Sequence, residues 1–195
     1  MSWRTEIRSA VKQGLATHGE FSLVKEPESI DTDTSKQPSS FRRLTEALKS
    51  QGYSIAASFI AGRFSKRKTV RSPLRHGIDL QPGIYDAVIY RPWTTRYIAP
   101  SRVILKYEQH TAPQTWPWST IFRFNGHPLM TYGQRAFVPF EFRVDDDKIN
   151  ELAPRSGRYL PTPGSLATAE SVLRILRMPL SQHVTRRGIE GVQRS

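Results

Sequence analysis

The sequence predicts an α+β fold: an antiparallel sheet of about four to five strands with flanking helices, and a mobile N-terminal segment. Three observations predict it. Apolar residues recur at helical spacing near both ends of the chain. Between residues 83 and 144 the apolar period shortens to two, with β-branched and aromatic enrichment. Short turn signals, Asn125-Gly126 and Tyr132-Gly133, separate the strand-like runs and favour antiparallel pairing. A chain of 195 residues, 37% of them hydrophobic, accommodates one domain with tails. No apolar run approaches the roughly 20 residues a membrane span needs. The N-terminal stretch MSWRTEIRSAVKQG lacks the continuous apolar core of a secretory signal.

Residues 2–17 read as an amphipathic helix. Trp3, Ile7, Ala10, Val11 and Leu15 form its apolar stripe, and Arg4, Arg8 and Lys12 lie one position further on. Residues 18–40 carry Ser, Thr, Asp, Glu and two prolines without periodicity, the composition of a mobile linker. Helical spacing resumes over 41–51, with Phe41, Leu44, Ala47 and Leu48 on one side, Ser39 or Ser40 as cap and Gly52 as stop. The run Tyr53–Ile60 suits a helix or a strand, and a helix ending near Gly62 is the expectation. Residues 63–76 form a basic loop, since Pro73 interrupts any long helix.

Strands are expected at 85–90, 102–107, 119–124 and 136–144. Pro139 has no N–H to give to a ladder, which places the last of these at an edge or on a bulge. A final helix spans about 165–178, with Ser165 as cap, a stripe of Leu166, Ala169, Val172, Leu173 and Leu176, and Pro179 at its end. The expected organisation is therefore a helix at 1–17, a linker at 18–40, one α+β domain at 41–180 and a frayed basic tail at 181–195.

Charge bears most directly on function. The chain has 29 Lys and Arg against 17 Asp and Glu, a net +12. Residues 1–46 are neutral, so the excess lies entirely beyond them, and Arg outnumbers Lys, 21 to 8. Arg grips phosphate through a planar fork, and a surplus of this size attracts polyanions and anionic membranes. The densest run holds Arg63, Lys66, Arg67, Lys68, Arg71 and Arg75 without an acid. Arg91 and Arg96 alternate with Tyr90, Trp93 and Tyr97, an arrangement suited to stacking unpaired bases. Trp3, Ile7 and Val11 on the first helix suit docking to a membrane surface or another subunit, unless they pack on the protein's own core. Trp116 and Trp118 in a loop suit a lipid or protein contact.

No motif names a reaction. Cysteine is absent, which excludes disulfides, thiolate zinc sites and thiol catalysis. There is no phosphate-binding glycine loop and no nucleophile elbow, and no two of the five histidines lie three to five residues apart. Asp145-Asp146-Asp147 is the one acidic run. Neighbours on a strand point to opposite faces, so it reads as a solvated turn or helix cap. A small Mg²⁺-dependent nuclease built on Asp145, Asp147 and Glu141 is the rival to that reading.

The segment Phe142-Arg-Val-Asp-Asp-Asp-Lys-Ile-Asn-Glu-Leu-Ala-Pro154 resembles the strand, acidic turn and following stretch of vesiculovirus-type rhabdovirus matrix proteins. The resemblance implies a self-associating layer protein between an anionic membrane and a ribonucleoprotein. The proline-tyrosine late-domain motif of that family is missing, and no functional residue carries over. The expectation is a non-enzymatic basic assembly protein, without cofactor or metal, inside the cell in cytoplasm or nucleus, or in a virion. Its expected partners are nucleic acid or ribonucleoprotein, an anionic membrane surface and further copies of itself. The alternatives are a nucleic-acid binder without a membrane role, such as a coat protein or RNA-binding suppressor, and the nuclease.

Overall fold

The computed structural model describes residues 1–22, 68–91, 103–110, 127–131, 134–156 and 159–188. The helix expected at 41–51, the segment 53–62, the strand at 119–124, most of the linker and the turns at 125–126 and 132–133 lie outside them.

The fold is α+β. The first helix, α1 (Trp3–His18), matches the stripe read from the sequence. The sheet has six strands: β1 (Lys68–Val70), β2 (Gly83–Tyr90), β3 (Ile104–Gln109), β4 (Val138–Asp145), β5 (Lys148–Ala153) and β6 (Leu180–Arg186). A short helix, α2 (His127–Thr131), precedes β4, and α3 (Ser165–Ile175) precedes β6. The spatial order is β1-β3-β2-β4-β5-β6. All pairings are antiparallel except β5 with β6, which is parallel.

Three expectations are corrected here. Among the described residues the sheet has six strands and one parallel pair, not four to five antiparallel ones. Residues 68–70 of the expected basic loop form edge strand β1. Residues 180–186, expected within or beside a frayed tail, form β6, because α3 carries the chain back along the sheet and delivers it parallel to β5.

Period-two alternation divides the sheet into two faces. On one, Tyr85, Ala87 and Ile89 of β2, Leu105 and Tyr107 of β3, and Val138, Phe140, Phe142 and Val144 of β4 form the main core. Tyr85 stacks on Phe142, its cross-strand partner, at 4.9 Å between ring centroids. Tyr107 sits edge-on to Tyr85, and burial pushes its phenol pKa up to about 12. α3 covers this face with Leu166, Ala169, Val172 and Leu173, and α1 adds Ile7 and Val11. The opposite face carries a smaller cluster of Val88, Tyr90, Ile104, Met130 and Tyr159, joined by Phe21 and Ala136.

Pro139 faces Val88 in a stretch of β4 lying before the part that pairs with β5, which begins at Glu141. Phe137 N donates to Ile89 O although Val138 is the residue in register with Ile89, so an irregularity precedes the proline. β4 is an interior strand, so the edge placement is corrected; the missing N–H is tolerated because Pro139 lies at the irregular start of the strand, before its pairing with β5 begins.

The Asp145–Asp147 run closes a two-residue hairpin between β4 and β5. Asp146 and Asp147 have φ of 49° and 59°, the left-handed pair that a tight hairpin requires and aspartate tolerates. Asn150 donates to Asp145 Oδ2 at 2.6 Å. The acidic run is a turn, followed by strand β5 rather than by a helix.

The helices meet at Gly14, where the last turn of α1 crosses the first turn of α3. A Cβ at Gly14 would collide with the Thr168 hydroxyl and come within 2.8 Å of His18 Nε2. The His18 ring is linked to Thr168 Oγ1 at 3.2 Å. Glycine here permits close approach, so Gly14→Ala is expected to lower stability by about 1–3 kcal/mol despite alanine's better helix propensity. A urea melt checks this, and the loss should shrink when Thr168 is also changed to Ala.

Glu170 ties α3 to β6. Its carboxylate accepts from Arg174 at 2.7 Å and from Arg186 at 2.7 Å. Burial alone would raise its pKa, but the two guanidinium groups outweigh that and hold it below 4.5. A carboxylate with a depressed folded pKa stabilises the fold above its unfolded pKa, and this contribution is lost as pH falls through the folded value. Wild type should therefore exceed Glu170→Gln by about 1 kcal/mol at pH 7. Paired denaturation curves should converge as the pH falls below 4.5.

Candidate functional site

Two groups of residues stand out, one at an edge of the sheet and its adjoining loop, the other on the face away from α1 and α3. The first comprises the cations singled out in the sequence. Lys68 on β1, Arg71 and Arg75 in the loop after it, and Arg91 after β2 are all exposed. None pairs with an acidic side chain among the described residues. The loop is held in place by Leu74, whose N–H donates to Leu176 O at 3.0 Å, so Arg71 and Arg75 flank a residue anchored at the end of α3. Arg177 lies at that end with φ of 58°, a conformation glycine adopts at a cost lower by roughly 1 kcal/mol or more. Arg63, Lys66, Arg67, Arg96, Trp116 and Trp118 lie outside the described residues.

Docking by the first helix is corrected. Ile7 is 3% exposed and Val11 is 4% exposed, both within the main core, and Trp3 is half-buried against it. Burial against α3 and the sheet removes the apolar area that membrane insertion would use. The Arg4 guanidinium lies 5.3 Å above the Trp3 ring.

The second group is one the sequence reading did not assemble. β3, β2 and β4 are in register so that Glu108 faces Asp86 and Asp86 faces Glu141. The three acids form a row on the sheet face opposite α1 and α3. His110, just beyond β3, places Nε2 at 2.7 Å from Asp86 Oδ2. Its backbone N–H donates to Ile84 O at 2.8 Å, which continues the ladder and fixes the ring beside β2. On the other side of Asp86, the buried His127 of α2 places Nδ1 at 3.5 Å from Oδ1. His127 Nε2 donates to Phe140 O at 2.7 Å.

The electrostatics follow from this packing. Burial pushes the His127 pKa down, against the nearby Asp86 charge, so its imidazole is held neutral. The hydrogen bond to Asp86 raises the His110 pKa despite partial burial. Burial raises the Glu141 pKa, and the Asp86 charge adds to the rise. Arg155 approaches Glu141 at 3.8 Å. Asp86, His110 and Glu141 bring one ligand-type atom each within 4.8 Å of one another.

Of the residues in the nuclease alternative, Glu141 lies in this row, whereas Asp145 and Asp147 belong to the hairpin. The signal present in the sequence was one acid set within each of three apolar strand segments, Tyr85-Asp86-Ala87, Tyr107-Glu108 and Phe140-Glu141-Phe142. No protein-family model matches the chain, and neither the curated proteins nor the solved structures contain a match.

Like charges placed opposite one another across strands are destabilising. Glu141→Gln is therefore expected to raise stability in metal-free buffer at pH 7 by about 0.5–1 kcal/mol. Thermal denaturation compared with wild type measures it, and a fall in melting temperature would show that the carboxylate is a net stabiliser.

Proposed function

We propose that the chain is a basic assembly protein that binds nucleic acid, or a ribonucleoprotein built on it, through phosphate contacts. One observation carries the reading: four exposed cations lie on β1, in the loop after it and just past β2, two strands that both pair with β3, and none has an acidic partner among the described residues. Arg135, Arg155, Arg174, Arg186 and Arg187 each approach a glutamate. Lys68, Arg71, Arg75 and Arg91 are exposed without such a partner among the described residues. Unpaired, solvated cations on one stretch of surface release counterions when they meet a polyanion.

Nucleic acid is preferred to an anionic membrane because the apolar stripe of α1 is already used in the core. Without it, membrane attachment would rest on charge alone. Self-association fits the two sheet edges. Among the described residues, β1 pairs only with β3, and β6 only with β5. A layer protein of the matrix type is one form of such an assembly.

The test is fluorescence anisotropy with single-stranded and duplex oligonucleotides over a salt series. Changing Lys68, Arg71 and Arg75 together to Glu should weaken binding at least tenfold and reduce the salt slope by about 2–3. The melting temperature should stay nearly constant, because surface substitutions usually cost within about 0.5 kcal/mol each. Unchanged affinity would refute the assignment of the surface. Flotation on anionic vesicles without oligonucleotide binding would transfer the role to a membrane.

A further inference from the structure

We propose that Asp86, His110 and Glu141 form a binding site for a divalent cation of the Mn²⁺ and Mg²⁺ class. The site stands on the sheet face away from α1 and α3 and is independent of the nucleic-acid reading. Its first basis is the donor set. Two carboxylates and one imidazole offer three ligand atoms, all within 4.8 Å of one another. A cation about 2.1 Å from each donor holds donors roughly 3–4 Å apart. The present spacing thus needs only side-chain adjustment, with the 2.7 Å contact between His110 Nε2 and Asp86 Oδ2 opening slightly. Oxygen-rich sites with an imidazole suit Mn²⁺, and the absence of thiolate removes the ligand that most favours zinc.

The second basis is the cost of the arrangement without a cation. The register of β2 and β4 places Asp86 directly opposite Glu141. Apolar residues at those positions would pack a sheet without that repulsion. Arg155 reaches Glu141 only at 3.8 Å and is itself 58% exposed. A dication would join the Asp86 and Glu141 carboxylates to the His110 ring and screen their mutual repulsion.

The third basis is the support behind the ligands. His127 is anchored to the Phe140 carbonyl and presents its other nitrogen to Asp86 Oδ1. Asp86 therefore has one oxygen backed by a buried ring while the other points to His110. The ring occupies the space behind this oxygen and limits how far the carboxylate can turn. His110 is 44% exposed, so the site opens toward solvent. Three protein ligands leave about three of the six positions of an octahedral ion for water or for an oxygen of a bound anion.

The experiment uses the full chain, stripped with chelator and titrated with Mn²⁺ by calorimetry and by electron paramagnetic resonance. One Mn²⁺ per chain is expected, displaced by excess Mg²⁺. Asp86→Asn and Glu141→Gln should each weaken binding at least tenfold. Asp146→Asn with Asp147→Asn should leave it unchanged, since both residues belong to the hairpin turn. Should Asp86→Asn fail to fold, Glu141→Gln and His110→Gln carry the test, His110 being the most exposed of the three. Absence of stoichiometric Mn²⁺, or equal affinity in wild type and Glu141→Gln, would overturn the site and leave His110 as a plain counter-charge. Loss of binding confined to the Asp146 and Asp147 variant would overturn it as well.

Discussion

The register of β3, β2 and β4 is the constraint on which the rest of this molecule depends. Tyr85 lies on Phe142 and beside Tyr107 on one face, and the same alignment puts Asp86 between Glu108 and Glu141 on the other. A slip of one residue would turn the acids into the core and the aromatic rings toward the opposite side, so the buried face holds the register firmly. The acids are carried along by that choice. Their proximity is set by the packing energy of Tyr85, Phe140 and Phe142, not by any attraction among themselves.

A second consequence is the division of labour between the two sides. The helical side is built like an ordinary core layer, with Gly14 letting α1 settle against Thr168 and the Glu170 carboxylate holding α3 to β6. There Arg174 and Arg186 are matched by Glu170 and Arg187 by Glu151, whereas Lys68, Arg71 and Arg75 at the sheet edge and its loop have no acidic partner among the described residues. The other face concentrates negative charge around Asp86, with His127 packed behind it.

Much of the architecture could be read from residue patterns. The stripe from Trp3 to Leu15 and that from Leu166 to Leu176 correspond to α1 and α3, and strands 85–90, 102–107 and 136–144 fall within a residue or two of β2, β3 and β4. Of the two placements expected for Pro139, the irregular stretch is found and the sheet edge is not, since β4 lies between β2 and β5. β1, β5 and β6 were not legible. Lys68–Val70 is too short for a period to show, and the stretches at 148–153 and 180–186 are polar and partly exposed. They become strands because neighbours offer them ladder hydrogen bonds.

Charge tells the same story at the level of function. By itself the chain of amino acids determined the net positive charge, the absence of thiol chemistry, the α+β pattern and the identity of the exposed cations, since these depend on composition and on contacts a few residues apart. Only the tertiary structure decided that the stripe of α1 is spent on the core, that Asp145–Asp147 is a turn, and that Asp86, His110 and Glu141 share one site. Those outcomes depend on which strand lies beside which and in what alignment. Long-range pairing is set by the summed burial of the whole sheet, a quantity that no local stretch of residues contains.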